Sequence, residues 1–190
     1  QLFQWASISG IASLQGMQVC LEGGSLAKFF EGVHDMKQVC APLTTAMHVS
    51  EGSKYAQYNS FQFTENTVLH GYLQSWKYFD PNLRSALKFK SEVQEKAATF
   101  LSGFGSLTLV GIHVRHLHQR EVDYLRFPPA EYFQNVMTYF RSKYTDVMFV
   151  VTSDDTAWCS EQDVFAVPDV QVVTQQHGAA VDMAILAACD

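Results

Sequence analysis

The chain has 190 residues, 47% of them hydrophobic and 17% charged, and carries a formal net charge of −6. That apolar share builds a real core and excludes wholesale disorder. An acidic balance without any basic stripe excludes nucleic acid as the main partner, and no run of about 18 uncharged apolar residues is present to span a membrane.

The opening Gln-Leu-Phe-Gln-Trp has neither a start Met nor a basic region, so it does not read as a signal peptide. Residues 1–20 read as a helix, with Leu2, Phe3, Ala6, Ile11, Leu14 and Met17 at roughly helical spacing. Residues 25–65 are mixed and polar and yield no assignment. The aromatic-dense stretch His70–Phe79 follows, ending at Asp80–Pro81. A helix is expected over 82–101. Leu83, Ala86, Leu87, Val93, Ala97 and Phe100 make its apolar face, and Lys88, Glu92, Glu95 and Lys96 its wet one. Ser102–Ser106 (SGFGS) then breaks the chain. A subdomain boundary is expected there, dividing residues 1–105 from 106–190.

Beyond that break, residues 107–115 (LTLVGIHVR) are a short, β-branched apolar run, as in a strand buried on both faces. Pro128–Pro129 opens a helix carrying Phe133, Val136, Met137, Phe140 and Tyr144 on one side. A second strand is expected at 147–153, a short helix at 156–162, a third strand at 170–174 and a final helix at 179–189. Strands alternating with helices imply right-handed crossovers and a parallel sheet, so this half reads as Rossmann-like α/β. The last residues run apolar to the end without a stop signal, and both termini read as internal to a longer domain.

Ligands of open parallel sheets bind beyond the carboxyl ends of the strands. Those ends here carry His113, Arg115, His116 and His118, then Ser153, Asp154 and Asp155, then Gln175, Gln176, His177 and Gly178. Arg115 is the sharpest of these. A guanidinium held by a buried strand can grip a diphosphate and offset charge on a departing nucleotide. The alternative is a salt bridge to Asp154 or Asp155. Gly103–Gly105 precedes the strand and is not a dinucleotide fingerprint. His113, His116 and His118 could gather round zinc only if their loop curled, because in a strand His113 faces away from the other two. The four cysteines, Cys20, Cys40, Cys159 and Cys189, contain no CxxC pair. Cys159 and Cys189 sit in helical contexts suited to free thiols, and disulfide pairing stays open.

The residues at this rim match a family. IHVR (112–115) resembles the H-x-R-R-x-D motif of inverting fucosyltransferases that use GDP-fucose. Residues 1–12 (QLFQWASISGIA), 71–79 (GYLQSWKYF), 149–159 (FVVTSDDTAWC) and 181–189 (VDMAILAAC) resemble segments of the α-1,2-fucosyltransferases of glycosyltransferase family 11, in matching order and spacing.

The resemblance implies a GT-B-like α/β fold of two Rossmann-like halves. The donor binds mainly in the second half, and the first is an acceptor-side subdomain. It implies transfer of fucose from GDP-fucose to the 2-hydroxyl of a terminal β-galactoside on a glycan acceptor, with inversion and without a metal or other cofactor. Carried over by position, Arg115 contacts the donor diphosphate and is the catalytic candidate. His113 and Asp182 lie near the guanine, where a carboxylate accepts from ring N–H and amino groups. His116, Ser153, Asp154 and Asp155 border the same pocket. Asp182 has a second reading, a carboxylate placed by the helix dipole, and Trp76 and Trp158 are read as core. A Golgi, lumenal location with a membrane anchor upstream of residue 1 is also implied.

Two departures stand out. His116 and His118 occupy the second-arginine and Asp positions of the motif, with Asp123–Leu125 (DYL) displaced beyond them. The sequence also stops before the family's last motif block. Beside the enzyme reading, the departures leave open a family member that binds GDP or glycan without transfer. A third reading is an unrelated Rossmann-like interaction module.

Overall fold

A computed structural model of the chain describes residues 2–19, 26–33, 47–50, 58–63, 67–116, 127–174 and 177–190. The chain forms two compact units, Gln1–Lys90 and Ser91–Asp190.

In the first unit, helix α1 (Leu2–Ser13) is apolar nearly all round and is buried accordingly. Trp5 and Ala6 pack with Leu26, Phe30 and Val33. Ile11 packs in a second cluster with Leu73 and Tyr78. Gly10 marks where the helix meets the backbone of a 3₁₀ turn, Trp76–Tyr78. A Cβ at Gly10 would overlap the Tyr78 carbonyl oxygen, so only glycine fits. Strands β1 (Met47–Ser50) and β2 (Thr67–His70) pair in parallel.

The single helix expected over 82–101 is two helices. The first, α2, spans Leu83–Ala86, and α3 spans Ser91–Leu101. The interruption has a tertiary cause. Phe89 forms an antiparallel bridge with Phe30, Lys90 N–H donates to the Phe29 carbonyl, and the Lys88 carbonyl accepts from Glu31 N–H. Their rings meet as well, with centroids 4.6 Å apart. Helical periodicity across this stretch yields to these long-range bonds.

Trp76 also departs from expectation. It is 69% exposed, while Leu73, Ser75 and Tyr78 occupy the buried positions of the same stretch. Trp158, in contrast, is half-buried against the core of the second unit.

The second unit is a three-stranded parallel sheet in the order β3 (Thr108–Val114), β4 (Val147–Ser153), β5 (Val170–Val172). Helices cover both faces. On one, Phe133 and Met137 of α4 (Ala130–Lys143) pack with Val110, Ile112, Val114, Phe149 and Val151. Cys159 of α5 (Thr156–Ser160) joins this cluster. Over the other lies α6 (Ala179–Ala187), with α3 packed against it. A Cβ at Gly111 would stand 2.9 Å from Leu186 Cδ2 and 3.4 Å from Cys189 Sγ, so the glycine lets α6 close on β3. Arg141, in the last turn of α4, holds Asp169 at 2.6 and 2.8 Å ahead of β5. The parallel α/β architecture expected for this half is the one observed. Cys159 and Cys189 are free thiols; Cys20 and Cys40 lie outside the described residues.

Candidate functional site

Strands β3 and β4 end side by side, with His113 opposite Thr152 and Val114 opposite Ser153. Aligned residues of neighbouring strands share a face. Val114 points into the cluster under α4, so His113 and Thr152 emerge on the opposite face, with Gly111 and α6. Here Thr152 is fully buried and its Oγ1 has no hydrogen-bond partner among the described residues. Asp182 stands in the first turn of α6. Its Oδ1 is buried and unpartnered among the described residues, as is His177 Nε2. Burial pushes the Asp182 carboxyl above the usual carboxylate range, opposed by the charges of His177 and His113 beside it.

Buried polar side chains in folded proteins are almost always bonded. Three orphaned atoms (Thr152 Oγ1, His177 Nε2 and Asp182 Oδ1) around one strand end are therefore a concentration of unmet hydrogen-bonding capacity. An ionised carboxylate only accepts, so Asp182 calls for a donor.

A second group gathers on the other side of the strand ends. His116 N–H donates to Asp154 Oδ1 at 2.6 Å, and His116 Nδ1 lies 2.8 Å from Asp155 Oδ2. A carboxylate cannot donate, so Nδ1 carries the proton. The imidazole stacks on Trp158, with centroids 4.1 Å apart and planes 17° apart, and Phe127 meets both rings edge-on. Asp155 also caps α5 by accepting from Trp158 N–H at 3.1 Å, and Ser153 Oγ accepts from Asp155 N–H at 2.9 Å. The loop after β3 is thus clasped to the loop after β4.

Arg115 sits between the two groups in sequence. It is exposed, and its guanidinium has no ion-pair partner among the described residues. The salt bridge weighed against a ligand role is therefore absent there; His116 takes the position on Asp155 instead.

Of the candidates from sequence, the structure brings His113 and Asp182 together on the α6 face, and His116, Ser153, Asp154 and Asp155 together on the other. Thr152 was not among those candidates, and His177 was named only as a polar residue after the third strand. Thr152 reads as one more residue of a buried strand until the strand register sets it beside His113. His118, Asp123–Leu125, Gln175 and Gln176 lie outside the described residues. Among the described residues no three His, Cys, Asp or Glu side chains gather closely enough to hold a metal ion.

A model of glycosyl transferase family 11 matches residues 46–190. The chain belongs to glycosyltransferase family 11. Galactoside 2-alpha-L-fucosyltransferase Sec1 of Mus musculus is 32% identical over 139 residues, which are 63% of this chain and 36% of that protein. The Bos taurus SEC1 protein of the same description is 33% identical over 146 residues, covering 66% of this chain and 38% of its own length. The chain thus spans well under half the length of these curated relatives. Among solved structures, the NodZ α-1,6-fucosyltransferase co-crystallised with GDP matches 99% of this chain and 81% of its own, at 17% identity and a TM-score of 0.56. A second NodZ structure, from Bradyrhizobium, matches 99% and 82% at 18% identity and a TM-score of 0.52. The family 11 chain therefore has the GT-B-like fold of these fucosyltransferases.

Proposed function

We propose that this family 11 chain is part of a galactoside 2-α-L-fucosyltransferase. It would take fucose from GDP-fucose and place it on the 2-hydroxyl of a terminal β-galactoside, with inversion. One observation carries the reading: the orphaned Thr152, His177 and Asp182 atoms at the carboxyl edge of the sheet. Guanine offers ring and amino N–H donors to a carboxylate such as Asp182, and His113 adjoins it. The exposed Arg115, without an ion-pair partner among the described residues, suits the diphosphate. As fucose departs, a guanidinium there would offset the charge left on GDP, which makes Arg115 the catalytic candidate. Residues 106–190 would supply the donor side and 1–105 the acceptor side. Transfer in this reading needs no metal. A Golgi, lumenal setting with a membrane anchor upstream of residue 1 completes this proposal.

His116 favours a second reading, a member that binds GDP without transfer. The resembled motif has an arginine there, and this chain's imidazole is committed to Asp155 and Trp158. It therefore adds no guanidinium beside Arg115.

Radiolabel transfer from GDP-fucose to a β-galactoside by the full-length protein tests the choice. Labelled product that disappears in Arg115→Ala is expected. A folded protein that binds GDP yet forms no product would leave the binding-only reading standing.

A further inference from the structure

Leu73 and Ser75 point into the first unit, 1% and 2% exposed, and the residues between and around them point out. Tyr72, Gln74 and Trp76 are all exposed, in strict alternation with the buried pair. The segment is firmly held from beneath. Gln4 Nε2 donates to the Gly71 carbonyl at 2.8 Å. Ser7 Oγ donates to the Leu73 carbonyl at 2.9 Å. The Tyr78 hydroxyl accepts from Asn59 N–H at 2.7 Å, and Gly10 seats α1 against the Tyr78 carbonyl. Leu73 itself has a φ of 50°, in the left-handed region that a leucine rarely enters. The exposed rings are thus displayed by an anchored backbone rather than left over at a loose loop.

We infer that Tyr72, Gln74 and Trp76 form a glycan-binding strip that holds the acceptor sugar of this protein. The chemistry fits that class of ligand. A β-galactoside presents one face of C–H groups that packs on an indole or phenol ring, and a rim of hydroxyls that both donate and accept. The Gln74 amide, which lies between the two aromatic residues in sequence, offers both functions at once. Four residues of chain reach at most ~14 Å, comparable with a short oligosaccharide and longer than one ring. An apolar protein partner or a lipid surface would leave the central amide unmatched. The inference rests on the fucosyltransferase reading for its choice of sugar and lies wholly within the first unit.

The test uses the full-length protein and a β-galactosyl disaccharide. Saturation-transfer NMR on wild type should mark the galactosyl C–H protons, and Trp76→Ala should abolish that signal. In the transfer assay Trp76→Ala should raise the acceptor KM about tenfold or more, as for a buried aromatic anchor. Trp76→Phe should recover most of the loss, and GDP affinity should stay unchanged in both variants. Since the side chain is exposed, the thermal midpoint should move little, which separates binding from folding. Wild-type protein that binds GDP but shows no disaccharide signal overturns the strip. So does a Trp76→Ala variant with unaltered acceptor KM. Wild-type protein that binds neither GDP nor disaccharide overturns the fucosyltransferase reading along with it.

Discussion

At the residue scale, Asp182 sets stability against ligand binding. Its folded pKa is raised by burial. A raised carboxylate contributes stability only below its unfolded pKa, and that contribution is lost as pH rises through the folded value. Asp182→Asn should therefore hold or raise the melting temperature at neutral pH, with its advantage over wild type vanishing in acid. The same substitution should weaken GDP binding by about 1.5–3 kcal/mol if the carboxylate accepts from the base. A loss of both stability and affinity at neutral pH would assign Asp182 a structural role instead. Arg115→Ala should also lower GDP affinity by about 1.5–3 kcal/mol, with no change in thermal midpoint, because no ion pair is lost among the described residues. His116→Ala should behave in the opposite way. It removes a bond to Asp155 and a ring from the Trp158 stack, so a stability loss of about 1–3 kcal/mol is expected. A chemical denaturation series on these variants separates ligand-facing from clasp residues.

At the element scale, the close approaches are the sensitive points. Gly10→Ala drives a methyl into the Tyr78 carbonyl, and overpacking of this kind costs about 1–3 kcal/mol. An unchanged denaturation midpoint would mean that α1 does not seat there. Most of the second unit was legible in the sequence, because each strand is a short β-branched run and α4 carries its apolar residues at helical spacing. The helix over 82–101 was not, since Phe89 is spent on a bridge to Phe30 that no local pattern announces. Trp76 was misread for a related reason. A dense aromatic stretch suggests core, and only the alternation of Leu73 and Ser75 with Tyr72 and Trp76 shows which side is wet. The cysteines offer a chemical check on the packing. Burial raises the thiol pKa of both Cys159 and Cys189, but Cys159 is 0% exposed and Cys189 only half-buried, so a maleimide should label Cys189 well before Cys159 in native protein.

At the scale of the whole molecule, the family match and the fold agree on a GT-B-like α/β protein of glycosyltransferase family 11. Sequence motifs located the rim after His113–Arg115, but they merged two groups that the sheet separates. His113 and Asp182 share the α6 face with Thr152 and His177, whereas His116, Ser153, Asp154 and Asp155 tie two loops together on the other side. Linear spacing cannot express that division, because it depends on which face each strand turns to its covering helix. The division makes a whole-site forecast. Variants of the first group should act on ligand binding, and variants of the second on stability. Isothermal titration of GDP into the full-length protein, repeated with Asp182→Asn and Arg115→Ala, is the most direct test. Saturable binding that weakens tenfold or more in each variant is expected. A folded wild-type protein that releases no heat with GDP, or variants that bind as tightly as wild type, would contradict the donor site.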